Sequence, residues 1–71
     1  MWIKLTPYCK NNTILVNTDN VTCVSAGQEN GEYEGITLVY FTGNDDNFIT
    51  VEETVEEIEQ LILFGLNCYE N

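Results

Sequence analysis

Apolar and polar residues alternate with a period of two through most of the chain, which predicts β-strands. The opening segment, residues 2–8, places Ile3, Leu5 and Pro7 on one face. Because Pro7 has no N–H to donate, we expect this strand to lie at a sheet edge or to end there. Runs rich in β-branched and aromatic residues predict four more strands, at 13–17, 21–26, 35–42 and 48–51.

Turn-forming residues separate these strands and favour hairpin connections. Asn30-Gly31 is the strongest turn signal, since both residues tolerate the positive φ that a type I′ turn requires. Alternation predicts that Val21, Cys23 and Ser25 share one face of the third strand. The fourth strand has large residues on both faces, which is typical of a central strand covered on both sides. Those faces carry Ile36, Leu38 and Tyr40 on one side and Thr37, Val39 and Phe41 on the other.

The spacing of apolar residues becomes helical after residue 51, with Val55, Ile58, Leu61, Ile62 and Leu66 recurring every three or four positions. Thr50 with Glu53 and Thr54 with Glu57 are competing capping boxes, and we prefer Thr54 because Thr50 would shorten the fifth strand. This predicts a helix at about 55–66, with Gly65 near its end. The predicted fold is α+β: one small domain, 1–71, with a five-stranded antiparallel meander (SH3-like or a partly open barrel) and one C-terminal amphipathic helix.

The charge balance narrows the possible functions. The chain has 71 residues, of which 12 are acidic and only two are basic, and its formal net charge is −10. Almost nothing could neutralise phosphates, so we expect no direct binding to nucleic acid or membrane. There is no histidine, and therefore the usual general base and commonest metal ligand is missing. An N-terminus that soon turns polar, without a secretory signal or a long apolar run, favours the cytoplasm.

Three groups of residues are candidates for chemistry, and each has a simpler interpretation. The glutamates at 52–59 favour the positive end of the helix dipole, whereas a catalytic pair needs a cleft. Residues 44–47 offer oxygen ligands for a weak cation site, but turn formation also accounts for them. The scattered Cys9, Cys23 and Cys68 are expected to pack as small apolar residues, and their spacing selects no disulfide pairing. We therefore expect no enzyme, no metal and no cofactor.

The chain has more aromatic residues than so small a core can hold. Core filling is the preferred interpretation for Trp2 and Phe48, while Tyr33, in a glutamate-flanked hairpin arm, is the best candidate for an exposed partner contact. The helix is apolar around most of its circumference at 61–64. We therefore expect Leu63, Phe64 and Leu66 to contact another chain, most simply a second copy in a homo-oligomer.

Three sequence segments follow one another in a recognisable order: MWIKLT at 1–6, ITL at 36–38 followed by Thr42-Gly43, and VEETVEEI at 51–58. Together they resemble the small FlbD/SwrD-like flagellar and swarming-motility proteins. Those chains begin with an MIKLT-like strand, have an asparagine in the second strand (here Asn17), and end in a similar helix start. The resemblance implies a β-rich accessory module that works through protein contacts, and it implies no catalytic residues.

Two functions fit these observations. The first is a non-enzymatic protein–protein interaction module, an accessory subunit of a larger assembly. The alternative is a phage or mobile-element accessory protein, either a minor virion component or an acidic inhibitor that mimics nucleic acid. A mimic is expected to spread its carboxylates along one face, whereas here they concentrate at 29–34 and 52–59.

Overall fold

The computed structural model describes residues 1–44 and 46–65, which form five antiparallel strands and a C-terminal helix. The strands are β1 (Trp2–Leu5), β2 (Ile14–Asn17), β3 (Val21–Ala26), β4 (Thr37–Phe41) and β5 (Phe48–Val51), and the helix is α1 (Val55–Phe64). The α+β class and the presence of all five predicted strands are confirmed.

The strands divide into two sheets, where the sequence predicts one continuous meander. β1 pairs with β2, and a second sheet has the order β3-β4-β5, so that β4 is central as predicted. A 3₁₀ turn, Thr18–Asn20, separates β2 from β3. The turn is held locally because the Asn17 side chain accepts from the N–H of Asp19 at 3.0 Å. It is also held by the Thr18 N–H, which donates to the Met1 carbonyl at 2.8 Å.

Residues 6–8 join the two sheets by running along β5. The N–H of Glu52 donates to the Thr6 carbonyl at 2.9 Å, and the N–H of Tyr8 donates to the Thr50 carbonyl at 3.0 Å. Pro7 lies between these bonds in an isolated bridge to Val51. Its missing N–H falls where this antiparallel pairing needs no donor, so the proline is tolerated. As expected from Pro7, regular β1 ends before it, at Leu5.

The core is shared by both sheets and the helix. Its buried members are Ile3, Leu5, Val16, Val39, Val51 and Ile58. Ile58, on the predicted apolar stripe of the helix, is only 2% exposed. The partly buried Leu61 and Ile62 extend this contact, so the helix covers the inner face of the sheets as its spacing predicts.

A β-bulge corrects the predicted faces of β3. Val21 pairs with Phe41, but the register then shifts, and Cys23 pairs with Tyr40. One extra residue in a strand reverses the alternation beyond it. As a result Val21 and Val24 pack against the core, and Cys23 does not share a face with Val21.

Local capping residues define both ends of the helix. Thr54 is the N-cap, and it forms the predicted capping box: the N–H of Glu57 donates to Thr54 Oγ1 at 3.0 Å, and the Thr54 N–H donates to Glu57 Oε1 at 2.9 Å. The helix ends at Phe64, before the predicted residue 66, because Gly65 turns left-handed with a φ of 61°.

Glu53, the acidic member of the competing capping box, has a different partner. Both of its carboxylate oxygens accept from the N–H of Thr6, at 2.9 and 3.1 Å. This partly buried contact joins residues that are 47 positions apart and reinforces the pairing of residues 6–8 with β5.

We expect Glu53→Ala to lower the free energy of unfolding by about 1–3 kcal/mol, because it leaves the partly buried Thr6 N–H without its acceptor. The exposed neighbour Glu52 supplies the matched control, and Glu52→Ala should change stability little. Urea unfolding followed by circular dichroism measures both. Equal losses in the two variants would show that charge, and not the Thr6 contact, is responsible.

Candidate functional site

The connection between β3 and β4, residues 27–36, is a folded loop and not a two-residue hairpin turn. A type I′ turn needs positive φ at both central residues. Here the left-handed residues are Asn30 (67°) and Gly35 (81°), and Gly31 is not left-handed. The loop consists of successive turns, closed by the Gly27 N–H donating to the Ile36 carbonyl at 2.9 Å. The predicted type I′ turn at Asn30-Gly31 is therefore wrong.

This loop brings Tyr33 onto the outer face of the β3-β4-β5 sheet. The rings of Tyr33 and Phe48 lie 5.9 Å apart between centroids, with planes at 85°. Phe48 also contacts Tyr40, its partner across β4 and β5, at 5.3 Å and 37°. We call these three half-buried residues the aromatic cluster. Edge-to-face and tilted pairs of this kind stabilise a protein beyond their buried area alone.

The outer position of Phe48 corrects its predicted place in the core. Its neighbour Ile49 packs against the core, so strand alternation turns Phe48 to the opposite face. Leu38 lies on the same outer face and is 6% exposed, which shows that this side of the sheet is covered as well. The expectation of a strand covered on both faces is confirmed at β4.

Two surface grooves lie on either side of the Tyr33–Phe48 pair. The first, which we call the Glu32 groove, has a volume of about 490 Å³ and is lined by residues that include Gly27, Glu32, Leu38 and all three members of the aromatic cluster. The second, the Lys10 groove, has a volume of about 350 Å³ and includes Tyr8, Lys10 and Thr50. The two grooves share aromatic walls but carry charges of opposite sign.

The last turn of α1 exposes the other predicted contact residues. Leu63 and Phe64 are each 63% exposed, the highest values among the large apolar side chains of the described residues. Leu66, the third residue predicted there, lies outside the described residues. The structure thus separates Tyr33, on the outer sheet face, from Leu63 and Phe64 at the helix end.

Sequence reasoning missed a further exposed pair, Trp2 and Leu15, each 56% exposed. Ile3 and Leu5 turn into the core, so alternation directs Trp2 outward and the predicted core position of Trp2 is wrong. Leu15 faces the same side, because it pairs across β1 and β2 with Lys4. The same alternation along β1 that places Ile3 and Leu5 in the core indicates that Trp2 faces outward.

The candidate cysteines and cation ligands among the described residues are exposed at the surface. Cys9 and Cys23 are free and exposed, so their predicted apolar packing is wrong, and Cys68 lies outside the described residues. Of the predicted cation ligands, the Asn44 side chain accepts from the N–H of Asp46 at 3.3 Å. Asp45 lies outside the described residues. Among residues 1–44 and 46–65, no cluster of three acidic or cysteine ligands could hold a metal ion.

Comparison of the chain with protein-family models, curated proteins and solved structures finds no match. The resemblance to FlbD/SwrD-like proteins therefore stays a prediction. Within the part of the chain that the structure describes, no helix has both the length and the apolar character needed to cross a membrane.

We expect Gly27→Ala to displace the loop and disrupt the contact between Tyr33 and Phe48. A Cβ at residue 27 would overlap the carbonyl oxygen of Tyr33 and lie 2.9 Å from its Cβ, so the backbone must shift. Such overpacking typically costs about 1–3 kcal/mol of stability. Near-UV circular dichroism should also show a weaker aromatic signal.

Gly35→Asn is the matched control for this change. Gly35 has a φ of 81° and open space around it, and asparagine tolerates the left-handed region better than most residues. The control should preserve the aromatic signal. A Gly27→Ala protein with an unchanged near-UV spectrum would contradict the close packing of Tyr33.

Proposed function

We propose that this chain is a non-enzymatic protein–protein interaction module, an accessory subunit of a larger assembly, that associates with a second copy through its helix end. The observation that carries the proposal is the exposure of two consecutive large apolar residues, Leu63 and Phe64, on the last helical turn. Fully burying an exposed leucine or phenylalanine side chain stabilises a protein by about 1.5–3 kcal/mol, and the exposed 63% of each side chain makes a large part of that gain available to a contact here.

The distribution of charge favours the helix end as the place where two copies meet. Each chain carries a net charge of −10, and two such bodies repel one another. Residues 60–65, at the described end of the helix, contain no charged side chain, whereas the start of α1 carries Glu56, Glu57 and Glu59. A two-fold contact at the helix end brings the uncharged parts together and keeps the acidic ends apart.

The same proposal extends to the shape of the sheets, the cellular compartment and the kind of assembly. The two sheets curl into an SH3-like or partly open barrel, which is supported by the pairing of residues 6–8 with β5. The protein works in the cytoplasm, in keeping with the free thiols of Cys9 and Cys23. The larger assembly is flagellar in kind if the resemblance to FlbD/SwrD-like proteins extends to function.

The alternative, a phage or mobile-element accessory protein such as a nucleic-acid mimic, rests on the net charge of −10. Two acidic side chains near the helix start have structural partners within the fold, since Glu53 accepts from the Thr6 N–H and Glu57 takes part in the capping box. These contacts within the fold explain the positions of the two carboxylates. A role in imitating the phosphates of a nucleic acid is not required to explain them. Binding to basic nucleic-acid-binding proteins, weakened by salt, would favour the mimic.

We expect a dimer or larger oligomer whose mass, measured by light scattering coupled to size exclusion, is the same at low and high salt. Phe64→Glu should yield monomers, because it places a charge in the proposed apolar contact. Leu15→Glu is the matched control: it adds the same charge to another exposed apolar side chain and should leave the oligomer intact.

A monomeric wild-type protein at both salt concentrations would contradict the self-association. Equal dissociation by Phe64→Glu and Leu15→Glu would show that added charge, and not the helix end, controls assembly. Either result would favour the alternative function, in which the acidic surface makes the contact.

A further inference from the structure

We propose that the Glu32 groove binds an arginine side chain from a basic segment of a different protein. This deepens the proposed function, on which it rests, by assigning the interaction module a second contact site with a defined partner chemistry. The site consists of the aromatic cluster and the carboxylate of Glu32, which line the same groove.

The aromatic walls supply rings on which a cation can stack. Tyr33 and Phe48 meet edge to face at 85°, Tyr40 lies 5.3 Å from Phe48, and all three residues line the groove. The face of an aromatic ring attracts a cation that lies within about 6 Å of the ring centroid. A planar guanidinium group also stacks on such a face, which favours arginine over lysine.

The charged residues favour the Glu32 groove over the Lys10 groove as the arginine site. Glu32 lines it directly, and the exposed Glu29 and Glu34 belong to the same loop. The other groove beside Tyr33 and Phe48 contains Lys10, which repels a second cation. The aromatic walls alone would not distinguish the two grooves, but their opposite charges do.

The sequence also limits where the ligand comes from. The chain's two basic residues are Lys4 and Lys10, and it contains no arginine. A second copy therefore cannot supply the guanidinium group. The partner in this groove is a different protein, whereas the proposed contact at Leu63 and Phe64 joins identical chains.

The experiment is an NMR titration of the full chain with a short capped peptide that has one arginine flanked by glycines. We expect the largest shifts at Tyr33, Tyr40 and Phe48, and a citrulline peptide of the same length should bind at least about fivefold more weakly. Tyr33→Leu should weaken arginine binding about two- to fivefold, while Tyr33→Phe, which keeps the ring, should preserve it.

A pair of charge variants tests the groove independently of its rings. Glu32→Gln and Glu56→Gln each remove one exposed carboxylate, and only the first lies in the groove. Glu32→Gln should weaken binding more than Glu56→Gln does. Because both positions are exposed, this comparison remains decisive if Tyr33→Leu fails to fold.

Equal losses in the two charge variants, equal binding of the citrulline peptide, or shifts centred on the start of α1 would each overturn the proposal. The oligomeric state of the same sample separates this result from the proposed self-association. An oligomer that does not bind arginine overturns only the groove proposal, and a monomer that binds arginine overturns only the contact at Phe64.

Discussion

The pairing of residues 6–8 with β5 is the interaction on which the rest of the structure depends. A two-stranded sheet such as β1-β2 is marginal in water on its own, and it gains stability only by sharing a core. Leu5 immediately precedes residues 6–8, and Val51 pairs with Pro7. Both Leu5 and Val51 are fully buried. The Glu53 carboxylate adds a side-chain bond at the same place. The two sheets and the helix thus form one core because three consecutive residues align with one strand.

The β3-β4-β5 sheet has two covered faces with different roles. The inner face contributes Val39 and Val51 to the core. The outer face is covered by the chain's own loop, which leaves the aromatic cluster half-buried and beside an acidic side chain. The uncharged end of α1 is a second surface, which belongs to the helix and not to this sheet. A chain of 71 residues can therefore offer two surfaces of different chemistry, one apolar and one acidic-aromatic.

Local signals predicted the elements well, and long-range geometry accounts for what they missed. Strand alternation and the Thr54 capping box act within a few residues, so the five strands and the helix start could be found from sequence. The bulge near Cys23 and the bond between Glu53 and Thr6 depend on residues far apart in the chain. The acidic neighbours of Tyr33 predict a partner contact, whereas its contact with Phe48 depends on the path of the whole 27–36 loop.

The bulge in β3 also affects how the protein behaves at high concentration. β3 is the outer strand of its sheet, and a regular outer strand offers backbone groups with which a strand of another molecule can pair. The register shift between Val21 and Cys23 interrupts that spacing and leaves only a short regular stretch. Bulges increase local twist and disfavour edge-to-edge stacking. Growth of open-ended fibrils through this edge is therefore disfavoured.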